Sequence, residues 1–501
     1  MIENQTKIYK KILFYGFGRV CCLLTIVVSV LSANVTTLSA QEVSVSPELN
    51  IRNYYSYEIL GKITDRYLVY RDKGFIKEVD VFNEYMEHSQ HSELIFEKKK
   101  TDMISTVGMD TSFQMIYGFL EKDSLYIKMR RYDKVVQLID SSTITTIPKK
   151  SIKRRINSKV SEDKSKVLIY TLNVDDHLDI YLYDNRRNRL AARRLLKFTP
   201  DINIKSELRD MLITDSGDIL MMLYKQDLSS SKKNQKVRVL QYSINTDISY
   251  VSTIDFGDMQ RKDVYLDYDN INQNIIISGL YSEKKQRENK GIFLVNKKLA
   301  EMQDIEEAKL IPFSESLVDE VTRSKKKKNK VFEHFTVKDI VKRQDGGIIM
   351  ILELSKEFSR RSSYATNYSR SNYNPSVRRG WVDYYNEDII ISSIKPDGEV
   401  EWSKILYKKQ FSQDDEAIYS SFHIMLTPSR MRLLYNDEIK SSNTVSEYIM
   451  DPVGNVARNS LLSTDDQGMK LRFRDAIQLN NRELLVPSEN NFNLNLVRIS
   501  Y

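Results

Sequence analysis

The chain has 501 residues, with 76 lysines and arginines against 68 aspartates and glutamates, a net charge of +8, and only two cysteines. That length exceeds what one ordinary hydrophobic core supports, so it calls for several domains or a repeating architecture. The mild, mixed charge excludes duplex nucleic-acid binding as a main role, because that role gathers basic residues into one stripe.

Residues 1–40 read as a targeting segment. Lys7, Lys10, Lys11 and Arg19 precede an apolar stretch over 20–31, and Leu38-Ser39-Ala40 before Gln41 is a small-residue cleavage pattern. Export through the Sec pathway follows, to the periplasm or the cell surface, with a mature chain that starts at Gln41 and carries a charge of about +5. An uncleaved anchor is the alternative, although the stretch falls short of the about 20 residues that span a bilayer. A lipoprotein is disfavoured, since Cys21 and Cys22 open the apolar region instead of following it. Residues 41–501 contain no cysteine, so neither disulfides nor thiolate zinc sites are available there.

From there on a polar turn runs repeatedly into a short apolar, β-rich run, with a period of about fifty residues. The runs centre on Leu68, Met115, Val167, Ile219, Ile275, Ile348, Leu433 and Leu484. The fourth copy resolves into four strands: ELRDMLIT, the turn Asp215-Ser216-Gly217, DILMMLYK, KVRVLQYSI and ISYVSTIDF. The sixth repeats the pattern, with hairpin signals at Asp345-Gly346-Gly347 and Pro396-Asp397-Gly398. Runs such as IIMIL are apolar on both faces, as inner strands sandwiched between neighbours must be. The fold class is therefore all-β, a single β-propeller of eight four-stranded blades; seven blades, or a pair of β-sandwiches, are the alternatives. The last copy offers three strands and stops at Tyr501, so the N-terminal strand is expected to complete it and cover the exposed edges.

Two insertions interrupt the period. In the first, over about 298–332, KKLAEMQDIEEAKL has helical composition and a basic run covers 323–330. The second, over 355–383, carries Arg360, Arg361, Tyr364, Tyr368, Arg370, Tyr373, Arg378, Arg379 and Trp381. Arginine interleaved with tyrosine offers bidentate contacts to carboxylate, sulfate or phosphate together with flat faces on which sugars stack. A polar hairpin tip rich in Ser and Asn is the bland alternative.

Catalytic signatures are absent: there is no Gly-x-Ser-x-Gly, no P-loop and no His-Glu-x-x-His. His88 and His91, with Glu84, Glu87 and Glu93 nearby, read as surface histidines on the link between the third and fourth strands of the first blade. Asp267, Asp269 and Asn270 begin like a calcium loop and fail at Ile271, which leaves a tight turn. The adjacent carboxylates Asp175/Asp176, Asp414/Asp415 and Asp465/Asp466 fall in turns, where Asp serves the backbone. No catalytic residue, metal or cofactor is expected.

Between Asn274 and Asp437 lie IIISGLYSE, KGIFLV, DGGIIMILE, YYNEDIIISSIKPDGEVEWSKILYKKQFSQDDEAIYSSF and LLYNDE. Together they resemble an uncharacterised family of exported bacterial proteins with propeller-like repeats and no assigned activity. Lys409, Gln410, Asp414, Asp415, Ser421, Phe422, Asn436 and Asp437 carry that likeness, which implies a fold and an export route but no catalytic residues. The function expected is a non-catalytic binding scaffold for an anionic polysaccharide or an envelope protein partner, with no nucleic acid and no membrane span after cleavage. The alternative is a polysaccharide-acting enzyme with its site at the mouth of the central channel.

Overall fold

In the computed structural model the residues described are 42–225, 236–283, 286–305, 307–325, 332–360, 381–437, 444–463 and 469–501. Contacts divide the chain into a small body of the termini, Met1–Val43 with Ile499–Tyr501, and a large one, Ser44–Arg498. Of the small body only Glu42, Val43 and the last three residues are described, in extended segments. The large body is a ring of eight antiparallel sheets, a β-propeller. Seven blades and paired sandwiches are thereby ruled out.

Each sequence repeat is one blade. The second strands Arg66–Asp72, Ser112–Glu121, Lys166–Leu172, Asp218–Leu223, Asn274–Glu283, Ile348–Arg360, Met431–Asn436 and Glu483–Asn490 hold all eight apolar runs. They are apolar on both faces because each face meets a different neighbour. In blade four, Ile219 and Met221 pack toward blade three, whereas Leu220 and Met222 pack toward blade five. One strand thus serves two cores, and no further hydrophobic centre is required.

The eighth blade has three strands of its own, Ile477–Gln478, Glu483–Asn490 and Asn493–Ser500. Its outer place is filled from the start of the chain: Leu49 pairs with Leu494 and Asn50 with Asn493. The Ser46 amide donates to the Leu496 carbonyl at 2.9 Å, and the Asn495 side-chain amide donates to the Ser46 carbonyl at 2.9 Å. The expected closure by the N-terminal segment is therefore present.

The first insertion corrects the helical reading of residues 297–310. Leu299–Asp304 is a 3-10 turn, and Lys309–Pro312 is the outer strand of blade five. Leu299, Met302 and Ile305 recur every third residue and all bury between blades four and five, which suits three residues per turn. The helix comes later, at Glu315–Lys325, where Leu317 and Val321, four apart, anchor it on the core of blade six. Residues 326–330 of the basic run lie outside the described residues.

His88 and His91 are also placed differently from expectation. They lie on the fourth strand of blade one, His88–Glu93, not on the link before it. Asp267 and Asp269 end the strand Met259–Asp269 and the tight turn follows over 270–273, with the Asp269 carboxylate accepting the amides of Ile271 and Asn272.

One face of the ring is laced by its turns. The Asp163 amide donates to Asp215, the Asp215 amide to the Asn270 side chain, and the Asn270 side chain to Glu162 at 2.7 Å. Lys342 of blade six also reaches Glu162, at 3.0 Å. Glu162 belongs to blade three and so bridges to blades five and six across the axis. On Asp163, burial works to raise the carboxyl pKa, but hydrogen bonds led by those from Ser165 and Ser161 outweigh it and hold the value near about 2.

Candidate functional site

The opposite face, where each second strand ends and each innermost strand begins, holds a cavity of about 690 Å³ shared by three blades. Blade six supplies Lys338 and Asp339 from its innermost strand, Glu353, Ser355, Lys356 and Glu357 from its second, and Tyr384 and Asn386 from its third. Phe422, His423 and Ile424 come from the innermost strand of blade seven, Glu416, Ala417 and Ser421 from the segment before it, and Arg474 from the approach to blade eight.

The floor is built around a buried cation. Lys408 is fully enclosed, and its ammonium contacts Glu353 at 2.5 Å, the Ser420 carbonyl at 3.4 Å and the Gln410 side chain. Burial works to lower the Lys408 pKa and the Glu353 charge opposes it, with a net shift downward. Lys338 approaches the other oxygen of Glu353 at 3.2 Å and is itself partly exposed to the cavity. Beneath them Gln410 donates to the Asn436 carbonyl at 2.5 Å, and Asn436 donates to the carbonyls of Tyr419 and Leu471 at 2.9 and 2.8 Å. Gln410, Ser421, Phe422 and Asn436, four of the residues that carried the family resemblance, thus form or border the seam under the cavity.

The walls rise from blade six. Its second and third strands continue beyond the blade as a two-stranded ribbon, through the pairs Glu357 with Tyr384, Phe358 with Asp383, Ser359 with Val382 and Arg360 with Trp381. The strand Gln410–Gln413 adds to the ribbon by pairing with 383–386. Phe358, Tyr385 and Phe411 pack in series along it, with centroids 5.8 and 4.9 Å apart. Asp414 fastens its edge, accepting the Val382 amide at 2.8 Å. Of the proposed binding residues, Arg360 and Trp381 are the last described pair of this ribbon. Arg361, Tyr364, Tyr368, Arg370, Tyr373, Arg378 and Arg379 lie outside the described residues.

Three groups lining the cavity are electrostatically displaced, and the Tyr384 hydroxyl is one of them, raised by desolvation first and then by the charges of Glu357 and Glu416. The Asp339 carboxyl is pushed up by burial, against the Ile340 amide bound to it and the charge of Lys342. His423 is pushed down from 6.5 to about 4 by burial alone, and its Nε2 has no hydrogen-bond partner. At neutral pH it is an uncharged imidazole with a free nitrogen. The sequence search missed this set because its members come from three blades, with no two catalytic types in a recognisable local motif.

No family model and no curated relative matches the chain. Among solved structures, the β-propeller domain of Nup133 from Vanderwaltozyma polyspora is 9% identical, with 93% of this chain and 99% of that one covered at a TM-score of 0.40. The WD40 domain of SCAP from fission yeast is 9% identical over 91% and 98% of the two chains, at 0.36. The polysaccharide lyase Uly1 is 9% identical over 80% and 90%, at 0.40. At these identities and scores the likeness is one of bladed architecture and carries no argument about activity.

Proposed function

We propose that this is an exported propeller that binds a polysaccharide chain in the cavity of blades six to eight, with the ribbon above it adding contacts to acidic groups. The observation that carries the reading is the lining: Lys338, Lys356 and Arg474 stand beside Asp339, Glu357 and Glu416 around the rings of Tyr384, Phe422 and His423. Both charge signs close to flat apolar faces match a polyhydroxylated ligand, whose hydroxyls accept and donate while its ring faces stack. The Arg and Tyr residues between Arg360 and Trp381 favour an acidic chain, since guanidinium forks pair with carboxylate or sulfate. The targeting pattern in residues 1–40 supports delivery to the periplasm or cell surface, and the mass of the protein recovered from that compartment, set against a start at Gln41, tests it. Among the described residues no helix is long and apolar enough to cross a membrane.

Affinity electrophoresis against a panel of neutral and acidic polysaccharides tests the binding reading. Tyr384→Ala combined with Arg474→Ala should weaken binding at least tenfold, and unchanged binding would exclude the cavity.

A second reading is favoured by His423. Its imidazole is uncharged at neutral pH and its unpartnered Nε2 is buried in the cavity wall, where a proton affinity lowered to about 4 makes it a weak base, so chain cleavage by acid–base chemistry requires a bound chain to open that wall to the ring. New chain ends appearing on incubation with a bound polysaccharide, and lost in His423→Gln, would convert the binding protein into an enzyme. Their absence with every polysaccharide that binds would leave it a scaffold.

A further inference from the structure

Blade one carries a second constellation, remote in sequence from the cavity. Asp80 is buried at 1% exposure on the third strand, Lys77–Phe82. Its two carboxylate oxygens face different partners. Oδ2 takes the Arg71 guanidinium, at 2.7 Å from Nε and 2.6 Å from Nη2. Oδ1 is left to two imidazoles, His88 Nε2 at 2.9 Å and His91 Nδ1 at 3.1 Å.

Three residues apart on a regular strand, two side chains point to opposite faces. Here they share one because the register slips. His91 pairs with Asp80, Gln90 with Val81, and His88 with Phe82, so Ser89 is an extra residue in a β-bulge. A bulge re-aims a side chain at the cost of one ladder position, and bulges concentrate at sites where such aiming serves a ligand.

We infer that Asp80, His88 and His91 form a binding site for a divalent transition-metal ion of the zinc type. Two imidazole nitrogens and one carboxylate oxygen make a borderline N/O donor set, which selects first-row transition ions over calcium or magnesium, whose ligands are all oxygen. As they lie, the donors touch one another, and among the described residues no group of three His, Cys, Asp or Glu already stands in an arrangement that could hold a metal ion. Ligand atoms about 2.0–2.1 Å from a tetrahedral zinc stand about 3.3 Å apart. The 2.9 and 3.1 Å contacts from Asp80 to the two imidazoles therefore need to open by only a few tenths of an ångström, with the two rings turning to set their own separation. His88 and His91 are on an exposed outer strand and free to make that adjustment, at 33% and 46% side-chain exposure.

The surroundings supply the outer shell that metal-bound groups require. A ligating histidine donates its other ring N–H to a carboxylate, and a ligating carboxylate is itself hydrogen-bonded. His91 Nε2 stands 3.7 Å from Glu78 Oε1, a charge contact just beyond hydrogen-bond length, and Arg71 holds the far oxygen of Asp80. Glu78 is fixed in turn by the Tyr54 hydroxyl and by Lys73 at 3.6 Å. The positions not taken by protein ligands open onto a cavity of about 640 Å³ that Glu48, Asn50 and Asn53 border, so the ion is accessible to water or to an exogenous ligand.

The test uses purified protein stripped by a chelator and titrated with Zn²⁺ by calorimetry and with Co²⁺ by visible absorption. One Zn²⁺ per chain should bind, and Co²⁺ should give ligand-field bands that Zn²⁺ displaces. Both should weaken at least tenfold in the double variant His88→Gln/His91→Gln, whose far-ultraviolet circular dichroism should match the parent. Asp80→Asn is the poorer probe, because it would leave Arg71 without its partner. His423→Gln, in the other cavity, should bind zinc as the parent does. A parent that binds neither ion, a double variant that binds like the parent, or loss of binding in His423→Gln would each overturn the assignment.

Discussion

His423 makes the electrostatics of the candidate site measurable through stability. In the unfolded chain its imidazole takes up a proton at about 6.5, whereas in the folded protein burial delays protonation to about 4. Between those values the unfolded chain holds the extra proton, so acid favours unfolding there. The native state has its full stability above about pH 6.5 and loses the His423 contribution as pH falls to about 4. The separation is worth about 3 kcal/mol, a large part of the 5–15 kcal/mol that a folded domain commonly has. Urea unfolding at pH 7 and pH 4 should therefore show the parent losing about 3 kcal/mol more than His423→Leu, since every other titrating group is common to both and cancels in the difference. Leucine is the replacement of choice because it leaves no polar atom where Nε2 now has no partner. Equal losses in parent and variant would refute the burial of the imidazole and, with it, the uncharged state on which the second functional reading depends.

Other perturbations test the scaffold. Lys408→Met should cost about 3–5 kcal/mol in denaturant unfolding, because Glu353 would lose its buried cation and keep only the partly exposed Lys338 and the Ser355 hydroxyl; a loss under 1 kcal/mol would mean water reaches that floor. Gly291→Ala should destabilise toward the upper end of about 1–3 kcal/mol, since a Cβ there would stand 2.1 Å from the Ile311 carbonyl oxygen on the outer strand of blade five. A neutral effect would show that this strand is loosely held. A chain beginning after Asn50 loses the partner of Leu494 and Asn493, so light scattering should report association through the exposed edge of the last blade, and a stable monomer would argue against closure by the N-terminal segment.

The ring was legible because sandwiching makes both faces of every second strand apolar, a demand that shows in ILMML and IIMIL without any knowledge of contacts. Closure was legible from counting strands in the last repeat. The helical composition of 297–310 misled because spacing, not composition, decided the outcome: Leu299, Met302 and Ile305 follow a period of three. Lys408 is one of two adjacent lysines in KKQF, and what sets it apart is its buried contact with Glu353, 55 residues away in sequence, which no local pattern reveals. His88 and His91 were noticed, but their common partner Asp80 is set by a one-residue slip in register that composition does not reveal. The cavity itself draws on residues from Lys338 to Arg474, and such long-range assembly leaves no local pattern.

The most direct test of the account is a binding titration of the mature chain against acidic polysaccharides at low and high salt, beside a form in which residues 359–382 are replaced by a two-residue turn. The account predicts salt-sensitive binding by the intact protein and a loss of at least tenfold in the shortened form, with residual salt-insensitive binding that Tyr384→Ala removes. Equal binding by both forms, or none by the intact protein to any polysaccharide, would contradict it.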